Sequence, residues 1–323
     1  MTHLCRFVAS FIIFSLFYHR VHFVDGSSVG GRHSYSLTTF DPSGNLDQVR
    51  RAVRASMLGA PVAALSILSS SSETIVKTSD SESSATPPDE GIYMCIPLRF
   101  LGTTSPLIID DGTPRIVPIS SSICICHTGV GADGRVLCDI AVRLALDFRY
   151  VYGEEISLEE LLEALAEKVQ EMTMKAGSRP YGCALLVACL GSGKVEGGDQ
   201  GREPTMYRID PSGSVELLSA NIDVNTENGR RSSVAFLGKW NSQKEQDSRS
   251  KLGSQQYTNE QQVQDALISA VENNDDSTST QSTPNNNDGG CNETFLYASF
   301  TRKGGLWISR IAREKCVGES STS

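Results

Sequence analysis

Hydrophobic and polar positions along the chain fall into segments of different period. Val136, Leu137, Ile140, Leu144, Phe148 and Val151 recur at helical spacing, and Gly153 follows them. Leu158, Leu161, Leu162, Leu165, Val169 and Met172 repeat the pattern up to Lys175, behind a capping box at Ser157-Leu158-Glu159-Glu160. These spacings predict two long amphipathic helices, joined by a short turn and lying antiparallel. A third helix is predicted over Glu260–Val271, with Val263, Ala266, Leu267, Ala270 and Val271 on its face.

Continuous or alternating apolar runs predict strands at Ala60–Leu68, Ile92–Phe100, Arg115–Ile119, Ile119–His127 and Cys183–Cys189. A hairpin is predicted at Met206–Leu218 around Asp210-Pro211-Ser212-Gly213, and closing strands at Phe295–Phe300 and Leu306–Ile308. Tyr35–Phe40 alternates apolar and hydroxyl side chains. Asp41-Pro42-Ser43-Gly44 carries turn chemistry. A helix follows, with Asn45 as the expected N-cap, Gln48 reaching back to it, Leu46, Val49, Ala52 and Val53 on one face, and Gly59 as the stop.

Polar stretches separate these elements. Residues 69–90 and 272–292 are poor in apolar side chains and read as disordered insertions. Asn221–Gln256 reads as polar without a predicted element. Strands, two helices, strands and a helix in that order predict an α+β fold with helices packed on two antiparallel sheets.

Composition narrows the chemistry. The 323 residues carry a net charge of −9, and no basic stripe marks a nucleic-acid footprint. The nine cysteines form no CxxC pair and no zinc spacing. Cys124 and Cys126 share one face of a predicted strand, as buried thiols do. Arg6 precedes an apolar run, Phe7–Phe17, of about 11 residues: too short to span a bilayer and right for a signal-peptide core, with a cleavage site near Gly26. A genuine leader, an uncleaved extension and an over-extended gene model stay open. Residues 1–32 are therefore set apart from a single domain over 33–323.

Gly129-x-Gly131-x-x-Gly134 satisfies a dinucleotide fingerprint between a strand and a helix. The acids at the required distance, Glu154 and Glu155, fall in a turn between helices instead of at the end of a second parallel strand. The glycines therefore read as turn and packing residues. His127, at a strand end, reads as a packed or turn residue rather than a general base.

The wording SLTTFDPSGNLDQV resembles the N-terminal motif of proteasome alpha-type subunits, most like its type-2 members. HTGVGADGRVL resembles that family's motif at the start of its first long helix. GSRPYGCALLVA followed by YRIDPSG resembles its central strand and hairpin. All occur in the family's order, over roughly Tyr35–Val271.

The resemblance implies a four-layer αββα sandwich of the Ntn-hydrolase type. It implies a non-catalytic ring subunit of the 20S core in ubiquitin-dependent protein breakdown, in cytoplasm and nucleus, with no cofactor and no metal. The implied partners are other alpha and beta subunits in a heteroheptameric ring, with activators possible, and no nucleic acid or membrane. The implied ring-contact and gate residues are Phe40, Pro42, Gly44, Gln48, Arg50 and Arg51. The implied structural motif is Gly129, Asp133, Arg135, Arg179, Pro180 and Gly182. Three departures stand out: Arg50-Arg51 replaces a Glu-Tyr pair, His33 stands at a tyrosine position, and Arg99 lies near the family's pocket lysine.

Two other classes remain. One is a paralogue outside the core particle, routed to a secretory or plastid compartment. The other is a threonine hydrolase processed at Thr103, although no lysine lies between Lys77 and Lys168 to support its nucleophile.

Overall fold

The apolar runs pair into two antiparallel sheets in the computed structural model, which describes residues 40, 44–68, 88–98, 114–175, 177–191, 203–218, 221–222, 231–274 and 292–314. The strands are β1 (Val62–Leu68), β2 (Gly91–Pro97), β3 (Ile116–Pro118), β4 (Ile123–Gly129), β5 (Cys183–Cys189), β6 (Thr205–Ile209), β7 (Val215–Leu217), β8 (Asn221–Ile222), β9 (Arg231–Leu237), β10 (Asn292–Thr301) and β11 (Gly305–Glu314). One sheet runs β11-β10-β2-β1-β9-β8, the other β3-β4-β5-β6-β7. The helices are α1 (Asp47–Met57), α2 (Gly131–Tyr152), α3 (Leu158–Met174), α4 (Ser242–Ser254) and α5 (Glu260–Asn274).

Strand alternation sorts side chains into layers. Val62, Ala64, Ile92 and Met94 from the first sheet meet Cys124, Cys126, Leu186 and Ala188 from the second, so the sheets pack face to face. Their neighbours in sequence point the other way. Leu65, Tyr93 and Phe236 pack under α4 and α5 against Leu252, Val263 and Leu267. Ile125, Leu185 and Val187 pack under α2 and α3 against Leu137, Ala141 and Leu165. Each central strand is buried on both faces, and for that reason it reads as a near-continuous apolar run. The resulting order is helix, sheet, sheet, helix, as the resemblance implies.

The local signals hold at most boundaries. Ser157 Oγ accepts from the Glu160 amide while the Glu160 carboxylate accepts from the Ser157 amide, both at 3.3 Å. Gly153, at φ +74°, closes α2. Asp210 Oδ1 accepts from the Ser212 amide at 2.9 Å in the β6–β7 turn.

Several expectations change. The N-cap of α1 is Leu46, and no side-chain cap bond forms there, so Asn45 is not the cap. Helix α2 begins at Gly131, five residues before the predicted apolar face, because Gly131–Arg135 is itself helical. Glu272–Asn274 completes α5 and Asn292 begins β10. Pro88–Glu90 is also described, and the Asp89 carbonyl accepts the Tyr93 hydroxyl at 2.8 Å. The remainder of the two expected insertions, 69–87 and 275–291, lies outside the described residues, as do 1–39 and Arg99.

The polar stretch 221–256 holds a central strand and a helix. β9 pairs with β1 along its full length, from Val62 with Leu237 to Leu68 with Arg231. α4 adds polar contacts to the packing of Leu252. Arg249 donates to the Val234 carbonyl at 3.3 Å and lies over the Phe236 ring, 5.4 Å from its centroid.

Candidate functional site

Helix α1 sits across one end of the sandwich, against β4 and β5. Its inner face carries small side chains: Ala52 and Ser56 are buried. That choice lets the helix backbone approach the strands closely. A Cβ on Gly59 would stand 2.5 Å from Gly129 Cα and 2.6 Å from Thr128 Oγ1. A Cβ on Gly129 would stand 2.5 Å from the Gly182 carbonyl and 2.9 Å from Ser56 Cα; its φ of +102° also favours glycine. Gly238, at the end of β9, touches Ala60 and Thr128 in the same way.

Hydrogen bonds finish this mount. Thr128 Oγ1 donates to the Ala60 carbonyl at 2.6 Å, the Lys239 amide to the Gly59 carbonyl at 3.0 Å, and the Val130 amide to the Gly182 carbonyl at 3.0 Å.

Beside the mount, the first turn of α2 is latched to the start of β5. Asp133 accepts from Arg179 Nη1 at 2.6 Å, from Arg179 Nη2 at 2.8 Å and from the Gly182 amide at 2.8 Å. The carboxylate is 9% exposed and the guanidinium 64%, so the pair has one dry and one wet partner. Burial alone would raise the Asp133 carboxyl. The bonds from Arg179 and Gly182 outweigh it and hold the group below its usual range.

His127 lies under the same turn, 1% exposed, where a Cβ on Gly134 would overlap its ring. Burial and the nearby Arg115 charge lower its pKa to about 4, against a small opposing effect of the Pro114 carbonyl. Neither ring nitrogen makes a hydrogen bond of ordinary geometry. His127 is therefore neutral at pH 7 and packed.

The structural motif expected from sequence thus divides. Asp133, Arg179, Pro180, Gly182 and Gly129 converge on one node. Arg135, two residues beyond Asp133, is exposed and stands apart from it. Two of the fingerprint glycines have packing roles, Gly129 against backbone and Gly134 against the His127 imidazole, while Gly131 opens α2. Glu155 accepts from Ser121 Oγ at 2.7 Å in a loop.

Of the ring-contact residues, Phe40 is exposed, Gly44 has φ +83° in open space, Gln48 is half-buried, and Arg50 pairs with Asp47 at 2.8 Å. Arg51 is exposed, and Pro42 lies outside the described residues. Sequence reasoning missed Thr128, Ser56 and Gly238. The available signal was the run of small residues on α1 facing a glycine-ended strand.

The node offers no nucleophile paired with a base. The six described cysteines are buried, with their thiols pushed up by burial. What the arrangement presents outward is the other face of α1: Arg50, Arg51, Arg54, Met57 and Leu58, all exposed.

A model of the proteasome subunit family matches residues 101–220. The proteasome subunit alpha type-2 of Trypanosoma brucei brucei is 28% identical over 238 residues, covering 74% of this chain and 80% of the relative. That of Drosophila melanogaster is 30% identical over 200 residues, covering 62% and 71%. That of Saccharomyces cerevisiae is 31% identical over 184 residues, covering 57% and 61%.

Proposed function

The chain belongs to the proteasome alpha-type subunit family as a divergent type-2 member, and from that premise we propose that it is a non-catalytic ring subunit of the 20S core. In that role it assembles with other proteasome subunits, and its part in ubiquitin-dependent protein breakdown is to scaffold the ring and shape its entrance. The single observation that carries this reading is α1. Close glycine contacts, Gly59 with Gly129 and Gly129 with Ser56, bring the helix against β4 at the end of the sandwich, and Arg50, Arg51, Arg54, Met57 and Leu58 are exposed on its other face.

Phe40, Pro42, Gly44 and Gln48 carry the ring contact in this proposal, and Arg50 and Arg51 stand where the entrance is shaped. Asp133, Arg179, Pro180, Gly182 and Gly129 hold the platform, and Arg135 is an outward-facing member of the same motif. The neighbours are the other alpha subunits of a heteroheptameric ring and the beta subunits beneath it. The working compartments are cytoplasm and nucleus. No described helix is long and apolar enough to cross a membrane.

The relatives named above are alpha-type subunits, which does not favour a processed threonine hydrolase or a paralogue outside the particle. Native purification of the tagged chain, followed by mass spectrometry, tests the reading. Co-migration with other alpha and beta subunits at the mass of a core particle is expected. A free monomer overturns it.

A further inference from the structure

Helices α4 and α5 are joined by a short turn and pack side by side over the six-stranded sheet, and a groove of about 330 Å³ runs between them. The antiparallel pairing sorts its walls into tiers. Gln255 and Gln262 flank the end nearest the turn. Lys251 and Asp265 face each other next, seven residues before and seven after Thr258 in that turn. Ser248 and Ser269 form the third tier, and Leu252, Ala266 and Ala270 make the floor.

A cleft between two surface helices is ordinarily a by-product of packing. Ser248 sets this one apart. It is 7% exposed, lines the groove and has no hydrogen-bond partner among the described residues, whereas a hydroxyl this buried is normally bonded. On the same helix, Ser250 and Ser254 donate back to the Gln246 and Ser250 carbonyls at 2.9 and 2.7 Å. Gln262 Oε1 accepts from the Thr258 amide and hydroxyl, which leaves its NH2 group to donate. Lys251 has no ion-pair partner among the described residues. Asp265 stands 3.8 Å from Arg313, which is closer to Glu272 at 3.3 Å.

We propose that this groove binds an extended peptide segment of a partner protein, with an acidic side chain at Lys251 and a basic one at Asp265. Amide and hydroxyl side chains both donate and accept, as peptide units do. An extended segment brings one N–H and one C=O per residue to such walls. A docked helix bonds its own main chain internally and leaves Ser248 unmatched. From Ser248 to Gln255 is two turns of α4, about 10 Å, room for about three extended residues. A contact so short falls far below the ~800 Å² per partner of a stable interface, so the occupant is a transient visitor and not a permanent neighbour. A polyanion is disfavoured because Asp265 repels what Lys251 attracts.

The probe is an end-blocked, fluorescein-labelled pentapeptide, Ala-Glu-Val-Lys-Ala, titrated by anisotropy against the purified full-length chain. Saturable binding is expected. Methylating the valine nitrogen removes one main-chain donor and should weaken binding about fivefold. Ala266→Trp fills the floor and should weaken it at least about tenfold, with thermal unfolding reporting whether the fold survives. Lys251→Glu, on the exposed rim, should reverse the preference between this peptide and one with lysine in place of its glutamate. No saturation by about 1 mM peptide overturns the inference. So does a preference unchanged in Lys251→Glu, or full tolerance of the methylated nitrogen. None of these outcomes bears on the ring-subunit reading, which co-migration tests separately, and a chain found as a free monomer leaves the groove and its test intact.

Discussion

Asp133 has three bonds, and removing it separates two contributions that look alike on paper. The Arg179 guanidinium is 64% exposed, so water replaces the carboxylate when the pair is broken. A pair with one partner this exposed contributes about 1 kcal/mol, the upper end for exposed pairs. The Gly182 amide is buried and has Asp133 as its acceptor at 2.8 Å. An amide stranded there costs about 1–3 kcal/mol. Asp133→Ala should therefore destabilise the fold by about 2–4 kcal/mol, and Arg179→Ala by about 1 kcal/mol. Asp133→Asn keeps an acceptor for Gly182 and should fall between them.

Denaturant titration of the three variants gives the order, and hydrogen exchange at Gly182 gives the cause. Exchange should accelerate in Asp133→Ala and change little in Arg179→Ala. If Arg179→Ala costs as much as Asp133→Ala, the ion pair carries the latch and the argument from the buried amide is wrong. The carboxyl is held below its usual value, so this stabilisation is complete above pH ~4 and is lost as pH falls through the folded-state value.

His127 titrates near 4 when folded and near 6.5 when unfolded, so the unfolded chain takes up the proton first. Stability should fall by about 3 kcal/mol between pH 6.5 and 4, and His127→Leu should flatten that slope in pH-dependent unfolding. Gly134→Ala gains up to about 1 kcal/mol of helix propensity but drives a methyl into the His127 ring. A net loss of about 1–2 kcal/mol is expected from the overpacking, and a gain in melting temperature would refute the contact. The six described cysteines are buried thiols, so iodoacetamide should leave them unmodified in the native chain and label them only with unfolding. Fast native labelling of Cys124 or Cys126 would contradict the face-to-face packing of the sheets.

Periodicity was a good guide where burial is apolar. The two long helices, the doubly buried strands and the Ser157 capping box all had strong local signals, and each formed. It failed where partners are polar or distant. β9 has only Val234, Ala235, Phe236 and Leu237 as an apolar run, and its first half pairs through serines such as Ser233, bonded to Ser66 at 2.5 Å. α4 buries only Ser248, Leu252 and Gly253, so it has no stripe to read. At α1, the expected Asn45 cap lost to a start at Asp47, where contacts with β4 and β5 position the helix. Motif wording singled out Asp133, Arg135 and Arg179 together, whereas the structure bonds Asp133 to Arg179 and leaves Arg135 exposed. Thr128 and Gly238 lay hidden because close backbone approach leaves no hydrophobic pattern.

The mount of α1 has a consequence for how such a chain can diverge. The helix approaches the strands through glycines that leave no room for a Cβ: Gly59 against Gly129, and Gly129 against Ser56 Cα and the Gly182 carbonyl. Substitutions outside can accumulate freely, since each alters which neighbour is welcome without tilting the helix that presents it. An arginine pair in place of an acid and a phenol is the kind of rewriting this geometry permits: the keyhole stays fixed while the key is recut.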